Sequence, residues 1–222
     1  MEPLKKNDFI ELEYTGRIKD GSIFDTNIKE EAKKVELEIE SRPLVICIGQ
    51  NMILPAIDEF LIGKDLGKHT LELSPEKAFG VRSRDYIKTM PLRVFTEKEI
   101  MPRAGMVFNF DNLFGRVSAV SGGRVIVDFN NPLAGKEVIY ELNAKKIVEK
   151  LEEKAENLLF FLFRRKLEFK LEEKKIKVKV EKQFIPLIDY FKPKFKEILD
   201  LDLEAEEIKT EEEKKEKPEE KK

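Results

Sequence analysis

From Phe9 to Thr15 apolar and polar residues alternate. Ile10, Leu12 and Tyr14 are separated by Glu11 and Glu13, the period-two pattern of a half-buried strand. Asp20-Gly21 then reads as a two-residue hairpin turn, because glycine tolerates the positive φ such turns require, and Ile23-Phe24 opens the return strand. The segment Thr26 to Arg42 is less regular. Glu30-Glu31-Ala32-Lys33-Lys34 precedes an alternating Val35-Glu36-Leu37-Glu38-Ile39, which reads as a flap or extra strand, or equally as a solvated excursion without function. Ile53, Leu54, Ile57, Phe60 and Leu61 recur at helical spacing between Gly49 and Gly63, predicting a short amphipathic helix. Thr70-Leu71-Glu72-Leu73 is a further strand, and Ser74-Pro75 begins a loop carrying Phe79.

The pattern changes near Asp85. Val107 to Phe110, Arg116 to Val120 and Arg124 to Phe129 are three strand-like runs, the last two joined by the tight hairpin Ser121-Gly122-Gly123-Arg124. So short a β unit should be an insertion whose two ends lie close together, with Pro132 returning the chain to the parent sheet. Beyond Val148 a helical stripe (Leu151, Ala155, Leu158, Leu159, Leu162) precedes two alternating runs, Leu167/Phe169/Leu171 and Ile176/Val178/Val180, predicting a hairpin that turns near Glu172 to Lys175. Ile188, Phe191, Phe195, Ile198 and Leu199 make a second stripe, which Pro193 should kink or split. This α+β segment of about sixty residues is marginal for burying its own core. Leu158 to Phe163 is apolar around the whole helix, more than one small layer covers, which makes a homodimer through this C-terminal segment a candidate.

Composition narrows the chemistry. With 39% charged residues, a formal net charge of −2 and no long apolar run, nothing in the totals points to nucleic acid or a membrane. The chain reads as cytoplasmic. The Lys175/Lys177/Lys179/Lys182 face is interspersed with Glu and reads as a solvated strand rather than a phosphate contact. The single cysteine, Cys47, sits in an alternating strand and reads as a buried inert thiol; with His69 the only histidine, a His-ligated metal cluster is excluded within one chain. No phosphate loop, CxxC pair or His-containing triad can be assembled, and no cofactor is expected.

The run Tyr14-Thr15-Gly16 through Asp20-Gly21 to Phe24-Asp25 resembles the FK506-binding-protein type of peptidyl-prolyl cis/trans isomerase. Matches continue in order through Pro43 to Gly49, Met52-Ile53-Leu54-Pro55-Ala56-Ile57, Ser74-Pro75-Glu76-Lys77-Ala78-Phe79-Gly80, and Pro132-Leu133-Ala134-Gly135-Lys136 leading into Val138 to Leu142. The long insertion further resembles the SlyD-type branch. The resemblance implies an α+β fold, a curved antiparallel sheet wrapped on a short helix. It implies an isomerase domain over residues 1–85 and 133–149, an inserted β-rich chaperone domain over 86–132, and a C-terminal α+β domain over 150–209; the charged tail 210–222 is expected to be disordered.

What the resemblance implies for the site is an apolar pocket needing no nucleophile or metal. Tyr14, Phe24, Asp25, Phe79 and Tyr140 are its catalytic group; Ile46, Met52, Ile53, Leu54 and Ile57 bind substrate, as do Phe108 and Phe110 of the insertion. Asp25 would be hydrogen-bonded to Tyr14 or turned toward the substrate carbonyl, and the Leu54 amide would receive a substrate carbonyl. The expected partners are unfolded or proline-containing polypeptides. Ile57 and Phe79 stand where the family often places Trp and Tyr, so weak FK506 binding is expected. The alternative is a holdase chaperone or assembly module whose pocket is vestigial.

Overall fold

A computed structural model describes residues 2–39 and 43–208. In chain order its elements are β1 (Phe9–Ile18), β2 (Ile23–Thr26), α1 (Lys29–Lys34), β3 (Leu44–Cys47), α2 (Pro55–Leu61), β4 (Gly67–Leu73), β5 (Ile87–Pro91), α3 (Arg93–Thr96), β6 (Val107–Phe110), β7 (Leu113–Ser121), β8 (Arg124–Asp128), β9 (Val138–Ile147), α4 (Leu151–Phe163), β10 (Phe169–Glu172), β11 (Lys175–Val180), α5 (Ile185–Leu199) and β12 (Asp202–Glu207). One sheet has the order β2-β1-β9-β4, with β3 pairing off β1; a second runs β5-β8-β7-β6 and a third β10-β11-β12. The fold is mixed α+β. The chain divides into two compact units. One takes the described residues of Met1–Thr15, Thr26–His69 and Glu141–Lys222, the other Gly16–Asp25 and Thr70–Tyr140.

In the first unit β1 and β3 pair antiparallel, Phe9 opposite Cys47 and Leu12 opposite Leu44. Phe9, Val45 and Cys47 belong to the same buried cluster as Ala155, Leu158 and Leu159 of α4, Ile176, Val178 and Val180 of β11, Ile188 and Phe195 of α5, and Leu203 of β12. The C-terminal segment therefore resolves its shortage of core by sharing one with β1 and β3. That also gives the apolar second half of α4, Leu158 to Phe163, more than one layer to meet: the helix packs against both β3 and α5. The expected hairpin is present, Glu172 facing Lys175 across β10 and β11. The parallel strand β12 was not expected; its register sets Leu203 beside Ile176 and Ala205 beside Val178. Pro193 does not split α5, which runs unbroken from Ile185 to Leu199. Its missing N–H costs one hydrogen bond, while burial of Ile188 and Phe195 holds the helix on both sides of it. On the sheet's charged face Lys175, Lys177 and Lys179 each pair with a glutamate (Glu204, Glu172 and Glu168) at 2.6, 2.9 and 3.0 Å.

The segment after β2 differs from the alternation expected of it. α1 forms over Lys29–Lys34 with Glu30 and Glu31 in its first turn and Lys33 and Lys34 in its last, matching the helix dipole. Val35 to Ile39 makes no strand, because Glu36 takes a left-handed conformation (φ 54°) that breaks the period. Residues 40–42 and the charged tail expected to be disordered lie outside the described residues.

In the second unit the β1–β2 connection is one residue longer than the expected two-residue turn. Ile18 N–H donates to Ser22 O at 2.9 Å and Gly21 N–H to Ile18 O at 2.8 Å, leaving Lys19, Asp20 and Gly21 as the loop. Gly21, at φ 96°, supplies the left-handed residue that closes such a loop, and Asp20 accepts from Ser22 N–H at 2.9 Å. The inserted β unit has the hairpin expected at Gly122-Gly123, Ser121 facing Arg124, and gains an unexpected fourth strand, β5, paired antiparallel with β8. Phe95, Val117, Val125 and Val127 form its own small core. Its two ends lie together. Asn130 bridges to Ser83 by accepting from Ser83 N–H and donating to Ser83 O, both at 2.9 Å, and Gly135 N–H donates to Gly80 O at 2.8 Å.

Candidate active site

Phe24 is the centre of a ring cluster in the second unit. Its ring lies edge-on to Phe79, with centroids 5.5 Å apart, and edge-on to Tyr140 at 5.7 Å, both at an interplanar angle of 89°. Such edge-to-face pairs set the positive edge of one ring against the negative face of another. Phe24 is delivered by β2, Tyr140 by β9, and Phe79 by a loop held in shape as Gly80 N–H donates to Pro75 O at 2.7 Å. Gly16 makes room for the cluster: a Cβ there would lie 2.7 Å from the Phe24 ring and 3.0 Å from that of Tyr140. The glycine of the Tyr14-Thr15-Gly16 run is thus a packing requirement, and sequence reasoning did not assign it a role.

Tyr140 is 4% exposed. Burial, and then the neighbouring Asp25 carboxylate, push its phenol up to about 12. The hydroxyl therefore stays protonated, a donor in a ring-lined surrounding, while Asp25 itself is exposed.

Of the other expected site residues, Tyr14, Ile46, Met52, Ile53, Leu54 and Ile57 lie in the first unit. Tyr14 is half-buried and its backbone is fixed from β2 and the residue after it. Thr26 donates its hydroxyl to Tyr14 O at 2.8 Å, and the Asn27 side chain accepts from Tyr14 N–H and donates to Leu12 O, both at 2.7 Å. Asn27 thus extends the β1 ladder with a side chain in place of backbone, a role that an asparagine just past a short strand could have suggested. Ile46 and Ile57 are fully buried, and Ile53 and Leu54 half-buried. Leu54 precedes α2 as its N-cap residue, its carbonyl accepting from Ile57 N–H at 2.8 Å. Met52 packs on the shared core and its sulfur accepts from Cys47 N–H at 3.1 Å. Asp58, also unforeseen, is buried on α2 and receives Gly49 N–H and Asn51 N–H at 2.7 Å each, so one carboxylate shapes the loop leading to Met52, Ile53 and Leu54.

Phe108 and Phe110 do not present themselves openly. Both are half-buried and pack with Phe95 on the core of the inserted sheet, Phe110 also edge-on to Phe129 at 5.3 Å. The apolar side chains turned furthest outward there are Met101, Phe114, Leu113 and Val107, at 71, 69, 65 and 58% exposed. Cys47 matches the inert thiol expected of it, buried and pushed up to about 12 by burial first and the Asp58 charge second. Among the described residues no cluster of His, Cys, Asp and Glu could hold a metal ion, and no helix is long and apolar enough to cross a membrane.

Comparison with known proteins gives the family setting of the chain. Residues 1–109 match the family described as FKBP-type peptidyl-prolyl cis-trans isomerase, and residues 88–133 match the family described as FKBP26, IF domain. The short-type peptidyl-prolyl cis-trans isomerase of Methanocaldococcus jannaschii is 28% identical over 148 residues, covering 65% of this chain and 94% of that protein. The FKBP-type 16 kDa isomerase of Escherichia coli is 26% identical over 157 residues (68% of this chain, 98% of the other). The isomerase SlyD of Haemophilus influenzae is 29% identical over 140 residues, covering 61% of this chain and 67% of the other.

Proposed function

We propose, for a chain that belongs to the FKBP-type peptidyl-prolyl cis-trans isomerases and is SlyD-like among them, that it speeds rotation about Xaa-Pro bonds of unfolded or nascent polypeptides at the Phe24–Phe79–Tyr140 cluster. The observation that carries this reading is the pair of edge-on contacts that Phe24 makes with the other two rings.

A prolyl bond rotates slowly because resonance holds it planar against a barrier of ~18–20 kcal/mol. Twisting it removes the partial double bond and its charge separation. The planar amide is thus more polar than the twisted state, and a dry ring-walled surface disfavours it more. The catalysis is differential stabilisation, with no bond made to the protein. A thousandfold gain needs only about 4 kcal/mol. In this proposal Tyr140, held neutral by burial and by Asp25, donates to a substrate carbonyl without bringing charge to the rings. A protease-free isomerisation assay on a short proline peptide tests it. Phe24→Ala should lower kcat/KM by about a hundredfold, close to 3 kcal/mol. Retention of full activity would refute the assignment.

For the inserted unit we propose a chaperone surface that holds unfolded segments and raises their local concentration near the site. Its support is the exposed Met101, Val107, Leu113 and Phe114, adaptable apolar contacts of which Val107 lies on the edge strand β6 and Leu113 and Phe114 on its neighbour β7. Excising it should cost protein refolding far more than tetrapeptide turnover; equal losses would count against it. The second reading, a holdase with a vestigial pocket, is favoured by the same exposed patch. It predicts no prolyl turnover in the unaltered protein and an aggregation suppression that Phe24→Ala leaves as it was. A homodimer through the C-terminal segment is supported by Tyr190, 75% exposed on α5, and is tested by mass in solution. The proposed setting is the cytoplasm, where nascent chains are met.

A further inference from the structure

A cleft of about 490 Å³ opens in the second unit, between β7 and the two segments that join the inserted sheet to its parent; Arg82, Gly105, Arg116, Asp128, Asn131 and Lys136 are among the residues that line it. Its charge is unbalanced. Three cations face one carboxylate, a formal surplus of two. That carboxylate is fully engaged. Asp128 Oδ1 accepts from the Asn130 N–H at 2.9 Å and from its side-chain amide at 2.7 Å, while Oδ2 is paired with Arg82. Burial works against the Asp128 charge, but these bonds from Asn130 and then Arg82 hold its pKa low, so it stays ionised.

Arg116 lies opposite Asp128 in the β7–β8 register, on the same face of the sheet, yet finds Asp128 already occupied. Among the described residues neither Arg116 nor Lys136 has a carboxylate at ion-pair distance; Lys136 only feels Asp20 from further off. The two unmatched cations come from different stretches of chain, one on a strand and one on the returning segment. Set on different stretches of one cleft, the two cations suit carboxylates carried on neighbouring residues of an extended chain.

The cleft also adjoins the rings through the backbone. Arg82 is three residues beyond Phe79, a reach of at most about 11 Å. Gly80, between them, is tied by its carbonyl to Gly135, next to Lys136.

We infer that this cleft receives acidic residues of the polypeptide substrate lying a few positions from the proline, so that the enzyme selects acidic stretches around its target bond. The inference rests on the proposed isomerase site and adds a specificity determinant to it. Arg116 and Lys136 meet only the acidic residues of such a substrate, so a neutral peptide has no contact with them to lose, and they take no part in rotation.

The test is a protease-free assay on matched peptides: a neutral proline peptide, the same peptide with an Asp pair added about four residues before the proline, and one with the pair added about four residues after it. One acidic peptide should show KM lowered about fivefold with kcat unchanged, and the advantage should vanish in about 0.5 M sodium chloride. Arg116→Gln with Lys136→Gln should erase the preference while leaving the neutral peptide's kcat/KM within about twofold. Turnover of all three peptides with equal KM in the unaltered protein overturns the inference and leaves the isomerase standing. Absence of turnover on the neutral peptide overturns the isomerase reading first. An acidic preference that survives both salt and the double substitution also overturns the role given to this cleft.

Discussion

The inserted β unit and the C-terminal segment are both additions of modest size, and they solve the problem of a small core in opposite ways. The insertion closes on itself. Phe95, Val117, Val125 and Val127 are buried against one another, and several large apolar side chains remain turned outward. The C-terminal segment merges, its α4, β11, α5 and β12 burying their apolar faces in a cluster that also contains Phe9, Val45 and Cys47. A self-contained unit can spare apolar surface for other chains and open locally without loss elsewhere. A merged one cannot open without exposing β1 and β3. The difference separates a part suited to adaptable binding from a part that acts as structure.

The largest test of that contrast is Phe195→Ala. The ring is fully buried in the shared cluster, so truncation should cost about 3–5 kcal/mol. Denaturant unfolding measures the loss. Hydrogen exchange shows its reach: amides of β1 and β3 should lose protection together with those of α5. Faster exchange confined to the C-terminal elements would mean that the cores are separate after all.

Next comes alkaline pH. The Cys47 thiol, ordinarily near 9, is pushed up to about 12 in the folded protein, chiefly by burial. The unfolded chain therefore releases this proton at lower pH than the folded one. Stability from this group is complete below pH 9 and falls as pH rises from 9 to 12, by about 3 kcal/mol. Cys47→Val should flatten that fall in a pH series of unfolding midpoints. An unchanged slope would deny the thiol its place in the shared core.

Most of the isomerase elements could be read from the sequence because they obey a local rule. Ile10, Leu12 and Tyr14 alternate, and Ser121 to Arg124 spells a hairpin. The misses are where tertiary context outweighs local rule. Pro193 sits inside a continuous helix because buried neighbours on both sides hold it. The alternation of Val35 to Ile39 comes to nothing because one left-handed residue breaks it. β12, mostly acidic, shows no strand pattern of its own until β11 is there to receive Leu203 and Ala205. At the candidate site the motif spacing pointed to Phe24, Phe79 and Tyr140, since each lies in a distinctive run. Gly16 and Asp58 went unassigned, because their work is done on rings and backbone that no one-dimensional pattern brings near them, while Asn27 had only its place just past a short strand to mark it.

A smaller effect is expected inside the insertion. Val125→Ala removes buried methyl groups from a core of few members and should cost about 2 kcal/mol. The loss should stay local, with faster exchange in β5 to β8, intact protection of β11, and tetrapeptide turnover within about twofold of the parent protein. Global unfolding at a single lowered midpoint would show that the insertion is as merged as the C-terminal segment.

The smallest structural effect, and the sharpest functional one, belongs to the outward face. Leu113 and Phe114 are 65 and 69% exposed, so replacing both with serine removes little buried area and should change stability by less than about 0.5 kcal/mol. If this face holds unfolded chains, suppression of aggregation should fall severalfold while turnover of a short proline peptide stays as it was. The two residues adjoin β6, an edge strand whose Val107 is also exposed, so an extended client would meet both apolar side chains and unpaired backbone groups. Unchanged suppression in the serine variant would remove the reason for treating the insertion as a binding part, and the contrast with the C-terminal segment would reduce to a difference in core construction.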